Sequence, residues 1–224
     1  MSKKISSDEF HNLTKGLADD VVAACVQWRL YTKLLKSLEA APDVEAQSRT
    51  FWNLTLGAHG MTAVQHLCRA FDQQRNALSL GRWLCIIRDN RHLFSPEELR
   101  KRLASNPFVE SLVADSKIPS MELLNSDIQS CSSSDASVNT LVKHRNNIAI
   151  HRNEGAAMTG RTAGFEMPII EFEALLERAR TTLHRYTMLF NAESYSTNMV
   201  GQDDYKYVVK CVAESVLRAR EGAW

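Results

Sequence analysis

Residues 141–153 read LVKHRNNIAIHRN, and the period of this stretch decides how the whole chain is read. At 100° per residue, Val138, Leu141, Val142, Ile148 and Ala149 fall on one stripe, the spacing of a helix rather than the alternation of a strand. The spacing predicts a helix from about Ser137 to Asn153. Arg145 lies close to the centre of the apolar stripe. A guanidinium buried there without a partner costs several kcal/mol, so either a carboxylate from another helix meets it or the face opens onto a cleft. Asn147 and His151 stand one turn apart on the adjoining face, with His144 two turns before His151. Arg145 and His151 are about 120° apart and roughly 9 Å along the axis, within reach of each other across a cleft. His151 falls in the last turn, where the carbonyl end of the helix dipole favours a cation and tends to raise an imidazole's pKa. No acid occurs from Ala136 to Asn153, so Lys143, Arg145 and Arg152 make a local positive patch. A solvated helix face and a phosphate-handling site both fit these residues.

Outward from this stretch the chain is helical. Ser6 and Glu9 have the spacing of a capping box, followed by Leu13, Leu17, Val21, Ala24, Trp28, Tyr31 and Leu35 at three- and four-residue steps. Pro42 ends that helix. A second is expected from about Val44 to Asp72, with Phe51, Leu54, Ala58, Met61, Val64, Leu67 and Phe71 as its apolar stripe. LGRWLCIIRDN opens a third, and Ser95-Pro96-Glu97-Glu98 is a strong start signal for a short fourth. Residues 107–117 and 120–131 are expected as helical pieces, and SCSSSDAS (130–137) as a break before the quoted helix. The glycine-bearing stretch 154–167 reads as a loop. Pro168 opens a long helix to Phe190, and a last one covers roughly Asp203 to Arg220. The fold class is all-α: a single domain over 1–224, an antiparallel helical bundle with a motif-bearing core at about 44–153 and additional C-terminal helices at about 168–220.

The 224 residues carry a net charge of +1, which excludes a polycation whose bulk charge binds nucleic acid; such contact needs a local patch. Cys25, Cys68, Cys85, Cys131 and Cys211 are odd in number, widely spaced and without a C-x-x-C, which argues against a zinc ribbon and for reduced thiols in a cytoplasm. MSKKISSDEF lacks an apolar segment of signal-peptide type, and VVAACV (21–26) is too short to span a bilayer; no membrane partner is expected. His59 and His66 share a helix face without a third ligand, and no phosphate-loop signature G-x-x-x-x-G-K-[ST] occurs, so neither a metal nor a cofactor is expected. Trp52 and Trp83 occupy helical apolar positions suited to a core, although tryptophans also stack bases. Gly57 and Gly60 suggest close helix packing. Arg82, Arg88, Arg91, Arg100, Lys101 and Arg102 alternate with Asp89, Glu97 and Glu98, which reads as a solvated face. Asp72, ending the second helix, is the best acidic partner for Arg145 or for Arg69.

Arg145-Asn146, four residues and His151 spell R-N-x-x-x-x-H, which resembles the signature of the HEPN superfamily (higher eukaryotes and prokaryotes nucleotide-binding domains). Phe51-Trp52, the run Leu67-Cys68-Arg69-Ala70-Phe71-Asp72 and Leu78-Ser79-Leu80 resemble the branch related to phage abortive-infection proteins, over roughly residues 45 to 152. A lysine is common in related sequences where this chain has Asn147. The resemblance implies a metal-independent endoribonuclease of toxin–antitoxin or antiviral-defence type, working as a homodimer with both motifs facing one cleft. It implies Arg145 as phosphate clamp, His151 as general acid/base and Asn146 in support; Asn147, Lys143, His144, Arg152 and Asp72, by their place beside these, are expected as RNA-binding or supporting residues. It also implies a cognate antitoxin, of which nothing in this chain speaks. Non-catalytic HEPN modules that bind nucleotides or partner proteins are the alternative.

Overall fold

The computed structural model describes residues 4–145 and 167–222. The described residues hold ten α-helices, one 3-10 turn and no strand. The helices are α1 (Ser7–Glu39), α2 (Pro42–Gln47), α3 (Arg49–Ala70), α4 (Leu80–Asp89), α5 (Pro96–Arg102), α6 (Val109–Ala114), α7 (Met121–Ser130), α8 (Ala136–His144), α9 (Ile169–Asn191) and α10 (Tyr205–Arg220). The 3-10 turn Arg91–Phe94 separates α4 from α5. The all-α expectation holds. None of these helices is long and apolar enough to cross a membrane.

Local chemistry sets most boundaries. Ser6 and Glu9 form the expected reciprocal box: Ser6 N donates to Glu9 Oε2 at 2.8 Å and Glu9 N to Ser6 Oγ at 3.1 Å. Ser79, Ser95 and Ser120 accept from the third amide of α4, α5 and α7, and Asp135 does the same for α8. Pro96 and Pro42 occupy first-turn positions, where a missing N–H costs nothing. The expected single helix from Val44 to Asp72 is two helices, because the backbone leaves helical geometry at Ser48 (φ −142°, ψ 46°).

The chain divides into two compact units, Met1–Val22 with Gln65–Tyr195, and Ala23–Val64 with Ser196–Trp224. The first has an aromatic core. Phe10 stacks on Trp83 with ring centroids 5.9 Å apart and meets Phe94 and Phe190 edge-on; Trp83 meets Tyr186 edge-on. The polar edge of Trp83 is satisfied inside this core, its Nε1 donating to Thr14 Oγ1 at 3.0 Å. Arg185 and Tyr186 both donate to Asp127 Oδ2, which ties α9 to α7; burial, and then the bond to Asp127, pushes the Tyr186 phenol up.

The second unit packs Leu34, Leu38, Val44 and Trp52 against Leu56, Tyr205, Val209 and Val212. Arg29 draws the chain after α9 toward α1 through Thr197 O, Thr197 Oγ1, Asn198 Oδ1 and Gln202 Oε1. Gly201 is required there: its φ is +77°, and an added Cβ would lie 2.7 Å from Asp204 Oδ2. Gly60 faces the Tyr31 ring, in keeping with close packing, whereas Gly57 faces open space. Trp52 and Trp83 are both core residues, 3% and 0% exposed, so neither offers a ring for stacking bases.

Two expectations need correction. Phe51, Leu54 and Met61 are exposed, so the expected α3 stripe is buried only from Val64 onward; Trp52, beside that stripe, takes the core position instead. The charges of residues 82–102 are not all solvated. Arg91 donates to Pro119 O at 2.9 Å, and Arg102 inserts beneath the C-terminus of α9. Backbone carbonyls from distant segments recruit both guanidinium groups.

Candidate functional site

The quoted stretch enters the described residues as α8 and ends there with Arg145 in right-handed helical geometry. Val138 and Leu141 are fully buried and Arg145 is 8% exposed, so the arginine does sit in the apolar stripe. An acid meets it. Arg145 Nη1 lies 2.5 Å from Asp72 Oδ1, with the two side chains 9% and 16% exposed. Arg69, the other suggested partner of Asp72, instead places Nε 3.3 Å from Asp20 Oδ1. Asn146, Asn147, His151 and Arg152 lie outside the described residues. Lys143 is exposed on α8, and His144 is buried.

What orients the Asp72–Arg145 pair is a polar bridge between two turns. Asp72 Oδ1 accepts from Gln74 N at 2.8 Å, which fixes the carboxylate at the exit of α3. Gln73 spends its whole amide on backbone: Nε2 donates to Phe71 O (2.7 Å) and Cys131 O (3.1 Å), and Oε1 accepts from Ser133 N (3.2 Å). Gly81 lets Cys131 approach, since a Cβ there would stand 3.3 Å from its carbonyl oxygen. Arg178 holds the same turn from α9, donating to Ser130 O and pairing with Asp135 at 3.0 Å. The serine break before α8 is thus pinned from three helices or their exits, and α8 starts from a fixed point.

Cys68, on the buried side of α3, donates weakly to Leu141 O at 4.0 Å. Burial pushes its thiol up to about 12; Arg145 pulls the other way and Asp72 adds to the rise. Such a thiol is inert at neutral pH. In the native protein Cys211, which is exposed, is expected to react quickly with Ellman's reagent, and Cys68 and Cys131 only on unfolding. Rapid modification of Cys68, read by peptide mass, would contradict the packing around Arg145.

A second polar group lies on the same end of α3. His66 Nδ1 is 2.8 Å from Asp20 Oδ1, the oxygen that also faces Arg69. Asp20 escaped notice in the sequence, yet it had the same signal as Arg145: it interrupts the buried run Leu17, Ala18, Val21 and Ala24 of α1. His59 bonds Gln27 Oε1 at 2.6 Å. Among the described residues no three His, Cys, Asp or Glu side chains are grouped to hold a metal.

The model of a family described as HEPN_AbiU2, AbiU2, matches residues 7–210. That span begins in α1 and ends within α10, well beyond the 45–152 of the motif resemblance. No curated protein and no solved structure matches the chain.

Proposed function

We propose a function from one premise: the chain belongs to the HEPN family AbiU2. This is a HEPN-type family associated with abortive infection. The reading it supports is a metal-independent endoribonuclease of toxin–antitoxin or antiphage type. One observation carries it: the arginine of R-N-x-x-x-x-H emerges from a buried stripe at the end of α8 with its guanidinium oriented by Asp72. A guanidinium has five donors in a fixed fork, so a carboxylate on one nitrogen aims the group for bidentate contact with phosphate.

RNA brings its own nucleophile. The 2′-oxygen bonds to phosphorus, the P–O5′ bond breaks, and the products end in a 2′,3′-cyclic phosphate and a 5′-hydroxyl. In this scheme Arg145 stabilises charge on the non-bridging oxygens, and His151 moves a proton. Asn146 orients the site, and Lys143 and Arg152 contact the RNA backbone. A homodimer with both motifs facing one cleft doubles the local charge and lets a chain of net +1 hold a polyanion. A cognate antitoxin is the protein partner of this reading, and a cytoplasm its compartment.

The second reading, a non-catalytic module that binds a nucleotide or a partner protein, draws on the same pair: a side chain only 9% exposed also suits a structural cation. Mixed RNA incubated in EDTA with wild type, Arg145→Ala and His151→Ala separates the two. Wild type is expected to cleave to cyclic-phosphate ends, and His151→Ala to lose about 10²–10⁴-fold in rate. Intact RNA with wild type, or equal cleavage by His151→Ala, leaves the binding module standing. Sedimentation at micromolar concentration tests the shared cleft, which a strict monomer would refute.

A further inference from the structure

We infer that Asp20, His66 and Arg69 form a second proton- and phosphate-handling station of the same site, with His66 as an acid/base and Arg69 as an RNA-phosphate contact. The inference rests on the ribonuclease reading. Cleavage by 2′-OH attack moves two protons, one off the 2′-oxygen and one onto O5′; each motif brings one histidine, and His66 would give each chain a second.

The geometry at His66 is that of an oriented imidazole. A carboxylate can only accept, so the 2.8 Å contact to Asp20 Oδ1 places the proton on Nδ1 and leaves Nε2 to exchange one. Asp20 is 13% exposed at its side chain and supplied by α1; His66 is 26% exposed. The imidazole is therefore anchored through Nδ1 while about a quarter of the side chain stays exposed. Arg69 shares the same carboxylate oxygen through Nε, yet its side chain is 62% exposed. A pair this open contributes little to stability, so its guanidinium is available to a phosphate.

Position ties this group to Arg145. His66 and Arg69 stand about one turn and about 60° apart on α3, and Asp72 follows just beyond its last residue, Ala70. Asp72 N donates to Arg69 O at 3.2 Å, which holds Asp72 against the end of the helix beside Arg69. The carboxylate that orients Arg145 and the arginine that shares Asp20 with His66 are thus neighbours at one helix end.

The test uses full-length protein and a defined single-stranded RNA in EDTA. His66→Ala is expected to lower kcat about 100-fold, with activity partly restored by added imidazole. Arg69→Gln is expected to reduce the slope of log K against log salt by about 0.7, one phosphate contact on a single strand, at an unchanged melting temperature. Should His66→Ala fail to fold, Asp20→Asn carries the test, with kcat expected to fall at least about tenfold. Cleavage by wild type together with an unchanged kcat in these variants, or a loss that imidazole does not restore, overturns the second station and leaves the ribonuclease reading intact. A wild type that cleaves no RNA removes both.

Discussion

Arg145→Ala is expected to lower the melting temperature by roughly 10 °C, whatever it does to RNA. Deleting one partner of a buried pair leaves the other uncompensated, at about 3–5 kcal/mol, and a chain of this size loses about 2–4 °C per kcal/mol. Both side chains are mostly shielded, 9% and 16% exposed, so solvent screening does not rescue the survivor. Asp72→Ala is expected to cost a similar amount. The informative variant is the double one. Arg145→Met with Asp72→Leu removes both charges, and much of the lost stability is expected to return, because the desolvation of two ions is relieved together. Differential scanning fluorimetry on the four proteins shows whether removing both charges restores what removing one loses. Melting of Arg145→Ala at the wild-type temperature would mean that Asp72 does not hold it in solution. A stable double variant that cuts no RNA would separate the role of Arg145 in chemistry from its role in packing.

A comparable loss, again about 10 °C, is expected from Arg102→Ala. Arg102 Nη1 donates to Leu93 O at 2.8 Å and Nε to Asn191 Oδ1 at 2.9 Å, while Nη2 serves Phe190 O. Its guanidinium carbon lies 3.9 Å from the centroid of the Phe190 ring. One residue thus closes the last turn of α9, where Ala192 carries the chain out in left-handed geometry (φ 53°). Burial lowers its pKa to about 10, so the group stays charged at neutral pH while served mainly by uncharged acceptors. Hydrogen bonds to a charged group are worth about 1.5–3 kcal/mol each and are not additive, which sets the expected loss at about 3–5 kcal/mol. Arg102→Lys keeps the charge but cannot reach three diverging acceptors, and it should fall between alanine and wild type. Thermal unfolding with the mutations in an otherwise unchanged chain checks this; a loss under about 2 °C would contradict it.

Local signals were readable in the sequence and distant ones were not. Ser6 with Glu9, Ser95 before Pro96, and the serine break before α8 each depend on partners within a few residues, and each stands where the sequence put it. Arg145 was readable in part: its place in the stripe demanded a partner, and Asp72 was one of few acids at a helix end. The stripe on α3 failed at Phe51, Leu54 and Met61, because periodicity shows that a helix has an apolar face without showing what covers it. Arg102 looked solvated beside its neighbouring acids, since its acceptors Phe190 and Asn191 are 88 and 89 positions away. Asp20 carried the same local signal as Arg145, but its partner His66 lies 46 residues away, out of reach of any local rule.

Gln73 reads only main chain at the 131–133 turn, taking the carbonyl of Cys131 and the amide of Ser133. Its grip is therefore blind to which side chains the turn carries and sensitive to how many residues it contains. Exchanging the Ser133 side chain leaves both bonds intact, whereas one inserted residue would shift the register of α8 and swing Arg145 by about 100° away from Asp72. The turn behaves as a ruler: what it sets is a count, and the aim of the arginine ten positions beyond Asp135 is measured from it.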